Sequence, residues 1–186
     1  MKKLGLCLLL LAVLSGCSDG SRELERGMEL RNKLLKASIF SFDADITADY
    51  GDKLHQFSMA CQADEKGKVT FTVTQPESIA GITGVLGEKG GALTFDDQAL
   101  CFELLTDEQL SPVSAPWILV KTLRSGYLRS ACQEEQGLHL TLDDSYDDDA
   151  LMVDLWLDEQ DLPSRAEILY DGRRILTVIV KNPVLT

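Results

Sequence analysis

The chain has 186 residues, with 18 Lys and Arg set against 30 Asp and Glu, for a formal net charge of −12. That length suits one domain with a sizeable core, and that charge repels phosphate backbones and anionic headgroups alike, which argues against nucleic acid as a partner.

Lys2 and Lys3 precede an uncharged, almost wholly apolar run from Leu4 to Leu14. At about 1.5 Å rise per residue this run would cover roughly half of a ~30 Å hydrocarbon layer, too short for a permanent span and suited to a signal-peptide core. The residues "LSGC", Leu14 to Cys17, resemble the lipobox of bacterial lipoproteins. There, small residues let a peptidase approach the bond before a cysteine whose sulfur carries a diacylglycerol. Residues 1–16 are therefore expected to be removed, and Cys17 to become the lipidated first residue. Residues 17–22 should form a short linker, ahead of one domain over 23–186. Each buried CH2 adds about 0.8 kcal/mol to membrane attachment, so two or three acyl chains on one residue make a durable anchor. Losing Lys2 and Lys3 with no acid takes the charge from −12 to −14. The anchor, not electrostatics, would then hold the protein at the outer side of a cell membrane. Ser18 rather than Asp after the cysteine does not mark inner-membrane retention where a host has two membranes.

"SRELERGMELRNKLLKAS" offers Ser21 as an N-cap and places Leu24, Met28, Leu34 and Leu35 near helical spacing, which predicts an amphipathic helix. From Phe42 the period changes to two. Phe42, Ala44, Ile46, Ala48 and Tyr50 alternate with polar residues, Phe57, Met59 and Cys61 share a face after Gly51-Asp52, and Val69, Phe71 and Val73 alternate with threonines. This is a three-strand meander. Further strands are expected at Ile82 to Leu86, Ala92 to Phe95, Gln98 to Leu104, Tyr127 to Cys132, Leu138 to Leu142, Leu151 to Leu157, Ser164 to Tyr170 and Arg174 to Lys181. Turn signals at Lys89-Gly90-Gly91, Asp96-Asp97 and Asp171-Gly172 separate several of them. "SAPWILVKTLRSG" reads as a second helix that starts near Pro116 and stops at Gly126. The fold class is thus α+β, mainly antiparallel β. A sheet of about ten strands must curl, and two helices lying in its concavity would make it an unclosed half-barrel.

The lipobox, the amphipathic helix, "FDADITADYGDKLHQFSMACQADEKGKVTFTVTQPESIAGITG" as a meander ending in a Pro-Glu turn, "GGALTFDDQAL" as a hairpin and "LPSRAEILYDGRRILTVIV" as a closing hairpin together resemble the LolA/LolB-type lipoprotein family. The likeness is to its Gram-positive members, GerS-like lipoproteins among them. It implies a curved half-barrel whose hydrophobic concave face holds an acyl chain of a lipid or lipoprotein. The Cys17 anchor matches the lipid-anchored members rather than the soluble shuttles. The GerS-like relatives imply an alternative, a non-enzymatic adaptor that docks an envelope protein such as a cell-wall or spore-cortex enzyme.

The residues that would line such a cavity are Phe42, Ile46, Phe57, Met59, Val69, Phe71, Val73, Leu93, Phe95, Ile168 and Tyr170. Ordinary core is the competing reading for each. No catalytic motif is present, and no enzymatic activity is expected. His139 alternates with Leu138, Leu140 and Leu142 and should face solvent, whereas His55 shares parity with Phe57 and Met59 and should face the concavity. Cys61, Cys101 and Cys132 remain in the folded part, enough for one disulfide and a leftover thiol, with the pair undetermined. There is no CxxC, and neither histidine lies at ligand spacing from a cysteine, so neither a cysteine-based metal site nor a cofactor is expected. "DDSYDDD", Asp143 to Asp149, lacks the glycine and terminal glutamate of a calcium loop and reads as a hairpin turn.

Overall fold

The computed structural model describes residues 19–95, 98–102, 105–106, 109–147 and 150–186. Cys17 and the leader, the Asp96-Asp97 turn, the end of the strand expected to reach Leu104, and Asp148 and Asp149 lie outside the described residues.

Strands β1 (Ile39–Asp49), β2 (Leu54–Asp64), β3 (Val69–Gln75), β4 (Thr83–Gly87), β5 (Gly90–Phe95) and β6 (Gln98–Phe102) form one meander. Strands β9 (Tyr127–Glu134), β10 (Gly137–Asp143), β11 (Met152–Leu157), β12 (Pro163–Tyr170) and β13 (Arg173–Leu185) form another. The two join where β1 pairs antiparallel with β13. One sheet of 11 strands results, in the order β6-β5-β4-β3-β2-β1-β13-β12-β11-β10-β9. Every pairing is antiparallel, and β6 and β9 do not meet, so the sheet is unclosed. A two-residue hairpin of β7 (Leu105–Thr106) and β8 (Gln109–Leu110), not anticipated from sequence, lies apart from it.

The alternation read in the sequence is a burial alternation. Phe40, Phe42, Ala44, Ile46 and Ala48 of β1 are buried, as are Val69, Phe71 and Val73 of β3 and Leu138, Leu140 and Leu142 of β10. These side chains and those of both helices form one cluster. Helix α2 (Ala115–Ser125) is buried from Ala115 to Val120 and again at Thr122 and Leu123. It touches β2, β3, β10 and β13, which places it across the middle of the concave face.

Helix α1 (Asp19–Lys36) corrects three expectations. It already includes Asp19–Arg22, where a linker was expected, so Ser21 lies inside the helix rather than at its cap. Its buried positions are Gly27, Leu30 and Leu34, while Leu24, Met28 and Leu35 are exposed. The cause is Gly27: a Cβ there would sit 3.2 Å from Leu128 and Leu140, so the missing side chain lets the helix approach β9 and β10 on that side. The helices also cap each other. Arg31 donates from Nε to Leu123 O (2.9 Å) and from Nη2 to Gly126 O (2.6 Å), while Arg124 donates from Nη1 to Leu34 O (2.9 Å). A guanidinium thus meets the carbonyl-rich end of each helix. Among the described residues no helix is long and apolar enough to cross a membrane.

Candidate functional site

Two regions concentrate chemistry: the concave face with its open end, and the outer face of the β9–β10 hairpin.

On the concave face, Phe42, Ile46, Met59, Val69, Phe71, Val73 and Ile168 are buried in the core, and Phe57, Leu93 and Tyr170 are packed partly against it. Most of the residues expected to line a cavity therefore touch other side chains, because Trp117, Ile118, Leu119, Val120 and Leu123 of α2 fill the curve. Phe95 is the exception, half exposed at 50%. Strand register explains why. Phe42, Cys61, Phe71, Gly84, Leu93 and Leu100 pair in turn across β1 to β6. Phe42 and Phe71 are each 3% exposed, Leu93 is half-buried and Leu100 is 64% exposed. The apolar row thus outruns its cover toward the β6 edge. A groove of about 930 Å³ lies between the Lys66–Lys68 turn, the β4–β5 hairpin with Glu88 and Lys89, and Trp117; Val85, Ala92 and Cys101 in its lining pair in register and so lie on the sheet face opposite to Leu93 and Leu100.

His55 sits opposite buried Ala48 in the β1–β2 register and keeps the inward parity of Phe57 and Met59, but beyond the covered part of the face. It is exposed at the start of β2, its ring edge-on to Tyr50 at 6.2 Å. The aspartate-rich turn is committed to structure where it is described: Asp143 pairs with Arg129 (3.1 Å), and Asp144 accepts from Lys121 Nζ (2.9 Å) and from Leu151 N–H (2.8 Å). The three cysteines are free. Cys61 is buried on β2, while Cys101 and Cys132 are exposed on β6 and β9, the two outermost strands of the sheet.

The outer face holds the grouping that sequence spacing missed. Cys132 pairs with His139 across β9 and β10, and His139 with Trp156 across β10 and β11, so the three share one face. Glu134, two residues after Cys132, falls on the same face. The tight turn between the strands passes through Gly137, whose φ is +124° and where a Cβ would lie 2.0 Å from Leu157 O, so only glycine fits. His139 Nδ1 is 2.9 Å from Glu134 Oε1 and 3.8 Å from Cys132 Sγ, and Nε2 is 3.0 Å from Asp154 Oδ1. Cys132 Sγ lies 3.9 Å from Glu134 Oε1. Trp156 donates from Nε1 to Glu134 Oε2 (2.9 Å) and stacks flat on the His139 ring, centroids 4.5 Å apart at 3°. His139 is half-buried by this stack rather than facing open solvent.

Thiol, imidazole and carboxylate in a row have the order of a nucleophilic triad, but the electrostatics oppose one. A reactive thiol needs positive surroundings, whereas partial desolvation and then the charges of Glu134, Asp154 and Glu23 push the Cys132 thiol upward. Glu134 is held below the usual carboxylate range, first by the Trp156 hydrogen bond and then by His139. The site favours a cation and keeps the thiol protonated without one.

Neither a family model nor a curated protein matches the chain. Among solved structures it is similar to an uncharacterized conserved protein of Thermus thermophilus (13% identity, 86% of each chain covered, TM-score 0.48). It is also similar to a LolA superfamily protein of Nitrosomonas europaea (10% identity, 86% of this chain and 93% of that one, TM-score 0.47). A third likeness is to the Mycobacterium tuberculosis lipoprotein LppX (10% identity, 87% and 93%, TM-score 0.42). At these identities and TM-scores the likenesses leave function open.

Proposed function

We propose that the protein is an extracytoplasmic lipoprotein, held to a membrane by acyl chains on Cys17, that binds the acyl part of a lipid or lipoprotein at the open end of its curved sheet. The observation that carries this reading is the exposed end of the apolar row, where Leu93, Phe95 and Leu100 continue the core toward the β6 edge and, among the described residues, Phe95 and Leu100 stay at least half exposed. Burying about ten methylenes would contribute on the order of 8 kcal/mol before the entropic costs of binding. Binding, not catalysis, is the activity proposed.

The test is native mass spectrometry of the mature protein purified from its own host. Co-purifying lipid is expected, and the pair Leu93→Asp and Leu100→Asp should release it while far-ultraviolet dichroism stays unchanged. Lipid-free protein would defeat the reading. A second reading, an adaptor that docks an envelope enzyme, is favoured by the filling of the concave face by α2. It predicts lipid-free protein that captures one such enzyme from solubilised envelopes.

A further inference from the structure

We propose that Cys132, Glu134 and His139 form a zinc-binding site on the outer face of the β9–β10 hairpin, with Asp154 and Trp156 holding the ligands in place.

The distances argue for it. Zinc bonds of ~2.3 Å to sulfur and ~2.0–2.1 Å to nitrogen and oxygen, at tetrahedral angles, set ligand atoms about 3.3–3.6 Å apart. Here the three separations are 2.9, 3.8 and 3.9 Å, so side-chain shifts of about half an ångström or less would receive the ion. The donor set is right for a borderline ion: one thiolate, one imidazole and one carboxylate, a combination that suits zinc over calcium or magnesium.

Hydrogen bonding outside the trio supports the same assignment. Asp154 Oδ1 lies 3.0 Å from Nε2 of His139 and accepts from Thr141 Oγ1 (2.9 Å), which fixes the carboxylate; an ion on Nδ1 would leave Nε2–H to donate to it. Nδ1 faces Glu134 and Cys132. A carboxylate behind a ligating imidazole is the arrangement that metal sites use to orient the ring and raise its basicity. Trp156 anchors the second oxygen of Glu134 and covers one face of the imidazole, so two of the three ligands have little freedom left to lose. Cys132 and Glu134 are exposed, which leaves an entry path and room for water as a further ligand. On binding, the thiol loses its proton to solvent. Thiolate, carboxylate and neutral imidazole then balance the two positive charges, with no oxidant or reductant needed.

The mature protein in detergent, reduced and stripped of metal by a chelator, is titrated with Zn2+ against a chromophoric competitor and, separately, with Co2+. One equivalent of each is expected, with a thiolate-to-cobalt charge-transfer band and altered emission from Trp156. Cys132→Ser should abolish the band and weaken zinc at least ~100-fold, and Asp154→Asn, which keeps all three ligands, should weaken it about 10–100-fold. Cys101→Ser, on the opposite edge strand, should change neither. Absence of zinc binding at micromolar free metal, or a cobalt band that survives Cys132→Ser, would overturn the proposal.

Discussion

Cys61 shows how one position in a strand sets chemistry. Burial in β2, with the charge of Asp43 adding to it, pushes its thiol up to about 12. At pH 8 the folded protein should therefore resist iodoacetamide at Cys61 and react at the exposed Cys101, with Cys61 becoming modified only in denaturant. Equal labelling of both in the folded state would show that β2 is not packed as described. The same shift has a sign for stability: the unfolded thiol gives up its proton near ~8.5 while the folded one keeps it, so Cys61 lowers stability as pH rises from there toward 12. Its parity with Phe57 and Met59 was legible in the sequence. The Cys132, Glu134 and His139 grouping was not, because it contains no CxxC and its histidine is not close in sequence to its cysteine. A strand places residues two apart on one face, and a tight turn returns a third residue beside them. Thus Cys132, Glu134 and His139 become neighbours through register rather than spacing.

Among the elements, the helices depend most on tertiary structure. Arg31 and Arg124 each donate to the carbonyl end of the opposite helix, bonds that nothing local in either helix encodes. Arg31→Met keeps much of the side-chain stem but removes the donors, leaving the Leu123 and Gly126 carbonyls without them. A loss of about 2 kcal/mol is expected, since hydrogen bonds to charged groups contribute roughly 1.5–3 kcal/mol each and water replaces part of them at a half-buried site. A urea midpoint that does not move would refute the capping account. The existence of both helices was readable from their spacing and stop signals, but the buried face of α1 was not. Counting apolar residues favoured Leu24, Met28, Leu34 and Leu35, of which Leu34 alone is buried, whereas the helix packs also through Gly27, a residue that hydrophobic periodicity does not score.

For the molecule as a whole, the proposed placement rests on the N-terminal residues and the shape on the rest of the chain. If Cys17 carries acyl chains, radiolabelled palmitate should enter the protein and be absent from Cys17→Ala. Label that persists in the variant would refute the anchor. With a mature charge of −14, no electrostatic attraction to anionic lipid would be available to replace it. The sequence by itself determined the strand succession, the inward face of most strands and the positions of both helices, because period-two and period-3.6 patterning and turn residues act over a few neighbours. It also carries the expectation of a signal-like leader that ends at a cysteine. Only the tertiary structure decided that β1 lies between β2 and β13, that α2 fills the concavity while Phe95 and Leu100 stay exposed, and that a thiol, a carboxylate and an imidazole meet on the outer face. These depend on which strands pair, in what register, and how much volume a helix occupies once it arrives, quantities set by contacts between residues far apart in the chain and carried by no local pattern.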